Sequence, residues 1–496
     1  MTRPRSAAAE MLPEFAAVSS PSAFLEHHLG PLSCGAELRQ FEDWFLRRGQ
    51  AISDAVDRAR TPWLRMFDTA GRRVDEICFP PEYPTMLHEG YRAGVIWRAF
   101  EQHSLLPSYE LIYVTSFFDP GLSCPYTVSL STALPLAKYA EAALKERFLA
   151  PMLRRDDSVW QGATWMTEIK GGSDLGANVE TVARRDGDRW LLAGDKYFAS
   201  NAGADLAVVA ARPEGAARSV RGLALFALPR LREDGSLNYT IRRLKDKIAT
   251  RSVPTGEVEL RDSHAWLLGP AEAGIYLILE VLNVSRVANS VGSVGVAQRA
   301  LADAMTFAQE RVAFGKPVLD HPLLRRQFEE RWHALRDALS LAWEAVELLN
   351  EVWQERVPYS ARYHLFRLVA HLAKYWTAEF AAQTAKWCME VHGGLGTLEE
   401  YRVERWLREA MILAIWEGTS HRQIIDGLEV MERKRASALL FDHLATYAPG
   451  AELAEMQARL ERFSALPADE REAGAEPVFR DLASFVARAL TQKRLR

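Results

Sequence analysis

The chain has 496 residues, 48% of them hydrophobic and 25% charged, which suits two to four packed units of roughly 100–200 residues each. A formal charge of −4 gives no global reason to expect nucleic acid or an anionic membrane as partner, although a local basic patch stays open. No apolar run approaches the roughly 18 residues of a membrane-spanning helix, no metal-ligand spacing stands out, and four scattered cysteines fit a reducing cytoplasm. The opening MTRPRSAAAEMLPEF has no apolar stretch after its arginines and does not read as a secretory signal.

Residues 1–20 read as a loose Ala/Pro/Ser arm. Residues 21–158 are mostly helical, as in PLAKYAEAALKERFLAPML, whose apolar positions recur every three or four residues. Inside them, near 63–79, WLRMFDTAGRRVDEICF predicts a β-hairpin around a turn at 68–71. Residues 159–270 carry the short β-rich runs RWLLAGDKYFAS, LAVVAAR, GLALFALP and GEVELRD between Gly, Asp and Pro turns, which predicts a compact barrel or sandwich. Residues 271–440 return to long helical patterns, and 441–496 form a helical appendix, interrupted at 467–470 and ending in Lys493-Arg494-Leu495-Arg496. The class is α+β: helices, a β domain, a helical bundle, a tail.

The stretch Ile415-Trp416-Glu417-Gly418-Thr419 concentrates the chemistry. Leu407, Met411, Ala414 and Ile415 recur at helical spacing, which predicts that this face of the helix is buried. Gly418 breaks the helix and leaves Glu417 where core meets loop, short of water, with a raised pKa and a base's reactivity near neutral pH. The competing reading is a last-turn acid paired with an arginine.

Four further runs accompany it. Trp165-Met166-Thr167-Glu168 through Gly171-Gly172-Ser173-Asp174 combines hydroxyls with glycines that admit close backbone approach. In Lys196-Tyr197-Phe198-Ala199-Ser200-Asn201, Phe198 and Ser200 are two apart on a strand and share a face that suits a flat polar heterocycle; core packing explains an isolated Phe as well. Arg311-Val312-Ala313-Phe314-Gly315-Lys316-Pro317 joins two helices and offers a guanidinium for phosphate and a ring for stacking. The glycine loop at Gly393, Gly394 and Gly396 lacks the preceding strand of a dinucleotide fold.

Singly these runs are weak; in this order they resemble the acyl-CoA dehydrogenase family over residues from about 80 to 435. Trp416 where most members have Tyr, the RLKDK run followed by TRS, the early hairpin, Ser123-Cys124-Pro125 and the helical appendix resemble its AidB-like branch. The resemblance implies the acyl-CoA dehydrogenase fold: a helical N-terminal domain, a central β-barrel, a C-terminal four-helix bundle and an extra helical tail. It implies FAD, with Met166 and Thr167 facing the isoalloxazine, Phe198 and Ser200 flanking its other side, and Thr419 bonding the cofactor. Arg311 and Phe314 would hold pyrophosphate and adenine across a subunit boundary, and Gly393 and Gly394 would meet a neighbour's FAD. Ser173 would lie near both the flavin and the substrate's thioester, and Arg286 and Trp416 would border the substrate as well. Glu417 would remove the α-proton of an acyl thioester, CoA- or carrier-protein-bound, with hydride passing to flavin N5. An electron-transfer flavoprotein or oxygen would follow as acceptor, and the assembly would be a cytoplasmic homodimer or homotetramer.

Several positions depart from the family pattern: Glu390, Thr397, Glu409, His421, Pro322 and Asn283. The alternative function is that of an AidB-like DNA-binding flavoprotein of the alkylation response with little or no turnover, through Arg433-Lys434-Arg435 and the basic C-terminal end. A flavin-bearing scaffold without turnover is a third reading.

Overall fold

The computed structural model describes residues 18–495; the first seventeen residues, which take in most of the arm read at 1–20, and Arg496 lie outside the described residues. Two compact units emerge. One comprises Asp43–Ile112 and Asp119–Ser285; the other comprises Tyr113–Phe118, the segment that ends at Glu42, and the chain from Arg286 onward.

The first unit holds the hairpin and the barrel. Strands β1 (Trp63–Phe67) and β2 (Arg73–Cys78) form an antiparallel hairpin. Its turn is held by the Asp68 carboxylate, which accepts from the Ala70 and Arg72 amides, and by Gly71 at φ 76°. Seven more strands follow: β3 (Gly162–Trp165), β4 (Val182–Asp186), β5 (Arg189–Ser200), β6 (Leu206–Pro213), β7 (Ala224–Pro229), β8 (Thr240–Leu244) and β9 (Thr255–Leu268). Pairings β6–β4, β4–β5, β5–β9, β9–β7 and β7–β6 close a ring, so the domain is a barrel. Strands β6 and β7 are apolar on both faces and buried along nearly their whole length. Ala163, Trp165, Ala199, Phe226, Leu228, Ile241 and Val258 fill the interior. Strands β3, β4 and β8 are four or five residues long and leave no alternating signature to read in the sequence. The Pro120–Tyr139 helix is capped by Asp119, whose carboxylate accepts from the Leu122 amide, and it seats β3: Ser129 Oγ accepts from Gly162 N at 2.8 Å, and Thr132 Oγ1 donates to Ala163 O at 2.9 Å.

The second unit is helical. Its long members are Gly274–Glu310 (from Arg286 on), Pro322–Val352 and Ala361–His392, followed by Val403–Ile415 and Ser420–Lys434. The tail continues as Ala436–Leu444, Gly450–Ser464, Ala468–Ala473 and Ala475–Arg494, the last packed on Pro322–Val352. One expectation is corrected. The buried stripe of the Val403–Ile415 helix is Val403, Trp406, Ala410 and Leu413; Met411 and Ile415 are exposed, and Leu407 and Ala414 are half-buried. Both stripes have helical spacing because the apolar residues span an arc wider than one stripe, opposite Glu404, Arg405, Arg408 and Glu409, and packing chose the other half of it.

Candidate active site

The Val403–Ile415 helix ends where the Trp416 amide donates to Ile412 O at 2.9 Å. Glu417 then turns left-handed (φ 56°), followed by Gly418 (φ 98°), and Thr419 caps the next helix by accepting from the Arg422 amide. A non-glycine residue held left-handed costs about 1–3 kcal/mol and persists only when its surroundings enforce it. The enforcement is visible. Gln423 Nε2 donates to Glu417 O at 2.9 Å and to Gly418 O at 3.1 Å. Arg286 Nε donates to Glu417 O at 3.2 Å, and Lys374 Nζ donates to Gly418 O at 2.7 Å and Ala414 O at 3.1 Å. A Cβ on Gly418 would meet Gln423 Nε2 at 2.7 Å, so glycine is required there twice over.

Behind this turn lies a polar network. With Gln423 Nε2 turned to two carbonyls, its Oε1 accepts from His371 Nδ1 at 2.9 Å, which fixes the imidazole tautomer. Burial and the nearby Arg286 push His371 down to about 3, so it is neutral. Arg286 also pairs with Asp426 at 3.2 Å. Burial would raise the Asp426 carboxyl, but the cations Arg286 and Arg422 hold it low.

The Glu417 carboxylate itself has no hydrogen bond or ion pair among the described residues. Arg286 holds its backbone instead, so the reading of an acid paired with arginine fails. The residue keeps part of its surface accessible, yet the protein packed around the carboxyl removes most of its water. Burial therefore pushes it up to about 7 against the pull of Arg286 and Lys374. Burial pushes Lys374 down to about 7, opposed by Glu417. An unpaired carboxyl poised near neutrality on a rigid turn is suited to taking a proton from carbon.

In the barrel unit, two of the motif runs are bolted together. Glu168 is buried and accepts from Lys196 Nζ at 2.6 Å, from Thr181 Oγ1 at 2.5 Å and from the amides of Glu180 and Thr181. Lys196 also donates to Ala210 O at 2.7 Å, and the Tyr197 amide donates to Thr167 O at 3.1 Å. Neither Glu168 nor Lys196 has a role assigned from the sequence, where each is one polar member of a motif run. Their pairing sets Met166 and Thr167 beside Phe198 and Ser200. Ala199 enters the barrel interior, while Phe198 is 53% exposed and Ser200 bonds Thr255 Oγ1 at 3.1 Å. Lys245 Nζ lies 4.8 Å from the centroid of the Phe198 ring. Ser173 is exposed in the loop beyond Gly172.

The remaining residues gather at another end of the bundle. Phe307 stacks on His392 at 4.4 Å, which brings the end of the Gly274–Glu310 helix against the exposed Gly393 and Gly394. There Arg311 is exposed, and Phe314 (φ 51°) stands 96% exposed at the tip of a two-residue ladder, Val312–Ala313 with Lys316–Pro317. Arg286 lies on the Gly274–Glu310 helix and Arg311 directly follows its end, 25 positions on, about 37 Å at 1.5 Å per residue. Arg311, Phe314 and the glycine loop are thus far from Glu417, Trp416, Thr419 and Arg286 of the same chain.

Three of the basic groups named for DNA have local partners. Arg433 pairs with Glu429 at 2.8 Å, Lys493 with Glu344 at 2.8 Å, and Arg494 with Glu347 at 3.0 Å. Of the departures from pattern, Glu390 pairs with Lys386, Thr397 donates to Gly394 O, and Pro322 opens a helix. No helix among the described residues is long and apolar enough to cross a membrane, and no group of three or more metal-ligating side chains occurs among them.

A helical segment, a closed β-barrel and a helical bundle in chain order, with a strained carboxylate at a bundle-helix end, define the acyl-CoA dehydrogenase fold. Comparisons agree segment by segment. Residues 38–157 match the adaptive response protein AidB N-terminal domain, 163–263 the acyl-CoA dehydrogenase middle domain, and 272–431 the acyl-CoA dehydrogenase C-terminal domain. Acyl-CoA dehydrogenase family member 11 of Caenorhabditis elegans is 30% identical over 82% of this chain and 68% of its own length. AidB of Escherichia coli (strain K12) is 30% identical over 75% of this chain and 70% of its own. The chain belongs to the acyl-CoA dehydrogenase family and carries the N-terminal domain of its AidB members. Among solved structures, C. elegans ACDH-11 in complex with C11-CoA superposes with a TM-score of 0.84 at 26% identity, covering 96% of this chain and 86% of that one. An acyl-CoA dehydrogenase from Bacillus anthracis complexed with FAD shares the fold at a TM-score of 0.74 and 18% identity, over 93% of this chain and 80% of its own.

Proposed function

We propose that the protein is an FAD-dependent dehydrogenase that desaturates an acyl thioester at its α,β bond, with Glu417 as the base. One observation carries the reading: the Glu417 carboxyl is unpaired among the described residues and pushed up to about 7 by burial, on a turn whose backbone carbonyl is held by Arg286 and Gln423. An α-proton of a thioester is weakly acidic, and its removal needs a base positioned within hydrogen-bond reach and matched in pKa to the working pH. The C11-CoA complex of the C. elegans protein supports a CoA thioester as substrate, with a carrier-protein thioester as the other form.

The residues fit FAD. Phe198 offers an uncovered ring beside the hydroxyls of Ser200 and Thr167, and Phe314 offers a fully uncovered ring beside the Arg311 guanidinium. When bound, FAD supplies the hydride acceptor for the β-hydrogen. Because Arg311, Phe314, Gly393 and Gly394 stand about 37 Å along the bundle from Arg286, a second copy of the chain completes each cofactor site, as a homodimer or homotetramer. Trp416 borders the acyl pocket beside the base. An electron-transfer flavoprotein or oxygen then reoxidises the cofactor.

The experiment is anaerobic titration of the flavin-loaded protein with a panel of acyl-CoAs, following the flavin absorbance band, for wild type and Glu417→Gln. Bleaching by one chain type in wild type alone supports the reading. Bleaching that survives the substitution excludes Glu417 as base, and none with any thioester excludes the dehydrogenase.

A further inference from the structure

The Gly274–Glu310 helix is lined with aliphatic residues around Arg286: Val287, Ala288, Val291, Val294 and Val296 are all buried. Its polar side chains here have identifiable partners. Arg286 holds Glu417 O and Asp426, Ser290 Oγ donates to Arg286 O at 2.9 Å, and Ser293 Oγ donates to Asn289 O at 2.8 Å. Asn289 is the exception. It is 6% exposed, and both its Oδ1 and its Nδ2 lack a partner among the described residues. Exchanging the amide oxygen and nitrogen gains nothing, since neither atom meets a partner. A buried amide left unmade is costly, and a leucine of similar volume would avoid that cost, so local stability does not explain an asparagine here.

Asn289 lies three residues beyond Arg286, one turn along the same face of the helix, where side chains are direct neighbours. Arg286 in turn holds the backbone of the base, so the unpaired amide stands one helical turn from the residue that positions Glu417. An amide in that place offers one donor and one acceptor to whatever chain enters beside the base.

We infer that Asn289 selects the substrate: the acyl thioester carries a hydrogen-bonding group in its chain, an amide, hydroxyl or keto oxygen, which pairs with the Asn289 amide. The inference rests on the dehydrogenase reading for the position of the thioester but is tested by binding. A pocket built to pair with a polar group rejects the analogue that lacks it, because its own amide is then left unmatched. An unbranched hydrocarbon chain is therefore the poorer ligand.

The test measures, by calorimetry on the flavin-loaded full chain, the affinity of two CoA thioesters of equal chain length, one a plain hydrocarbon and one bearing a mid-chain secondary amide. Wild type is expected to favour the amide chain roughly tenfold or more. Asn289→Leu is expected to lose or invert that preference, and Asn289→Ala serves as second variant should leucine not fold. The same preference in wild type and variants overturns the inference, as does a wild type that favours the plain chain or binds neither. Flavin absorbance recorded on the same samples separates the two claims: preference without bleaching removes the dehydrogenase and keeps the selectivity, while bleaching without preference does the reverse.

Discussion

The ammonium group of Lys374 lies 2.7 Å from the Gly418 carbonyl oxygen and 3.1 Å from that of Ala414, so one buried cation holds both sides of the turn that carries Glu417. It also opposes the effect of burial on the Glu417 carboxyl. Lys374→Met withdraws that charge, and the carboxyl pKa climbs beyond about 7. The acidic limb of the rate–pH profile for flavin reduction is expected to move up by on the order of one unit, with roughly tenfold slower reduction at pH 7. Stopped-flow profiles of wild type, Lys374→Met and Lys374→Arg decide. A slower variant with an unmoved limb would make Lys374 a prop for the turn and nothing more.

Glu417 also couples stability to pH. Its carboxyl titrates at about 7 in the folded chain against 4.5 as its ordinary value. The folded state therefore favours the protonated form, and that stability, complete below about 4.5, is lost as pH rises through 7. Glu417→Gln removes the dependence. It is expected to be more stable than wild type at pH 8 by about 1–2 kcal/mol, with the advantage fading toward pH 5. Melting curves at the two pH values measure it; an advantage of equal size at both would show that the charge is not its source.

The pairing of Glu168 with Lys196 at 2.6 Å predicts a strongly coupled pair in the barrel. Lys196→Met leaves a buried carboxylate facing no cation and is expected to cost about 3–5 kcal/mol. Combining it with Glu168→Gln should cost clearly less than the two single losses added, since the second change removes the stranded charge. Denaturant unfolding of the four chains gives the coupling directly, and additive losses would contradict the structure.

These residues also mark how far the sequence could be read. The order of helices, barrel and bundle was legible because strand-like runs with Gly, Asp and Pro turns interrupt long helical patterns. The importance of Glu417 was legible because a glycine follows a carboxylate at the end of an apolar helix. The face of that helix was not: Val403, Trp406, Ala410 and Leu413 keep the same spacing as Leu407, Met411, Ala414 and Ile415, and only tertiary packing separates them. Lys374 and His371 sit inside a helix whose sequence is mixed, where a lysine reads as solvated until the loop that accepts its hydrogen bonds is brought in from more than forty positions away. Glu168 and Lys196 are hidden for the same reason: each is polar in sequence, and only the strand pairing shows that they are buried together.

Phe314, exposed over 96% of its surface, meets the His321 ring edge to face, with centroids 6.1 Å apart. Phe314→Ala removes almost no contact from its own chain, so chain stability is expected to stay within about 0.5 kcal/mol. If a second copy's cofactor covers that ring, the variant instead loses flavin during purification and shifts toward smaller assemblies. The ratio of flavin to protein absorbance and sedimentation velocity read both effects. A variant with full flavin and unchanged assembly would exclude the shared site.

The tail is held by a charge cluster of its own. Glu344, 1% exposed, accepts from His443 Nε2 at 2.7 Å and Lys493 Nζ at 2.8 Å, while Thr491 donates to Asp337 at 2.7 Å. Burial alone would push the Glu344 carboxyl up, but His443 and Lys493 overcome it and hold it down to about 2. A carboxyl depressed in the fold stabilises fully above its ordinary value of 4.5, and this is lost as pH falls through 2. Ala475–Arg494 is thus expected to keep its hydrogen-exchange protection until pH falls well below 4, and to lose it before the middle of the bundle does. Glu344→Gln, which leaves His443 and Lys493 without their carboxylate, should expose the same helix already at pH 6, at a cost of about 2–3 kcal/mol. Loss of protection at one and the same pH in both chains would mean that the hydrophobic face of the helix, Phe479, Leu482 and Val486, holds the tail without help from the charges.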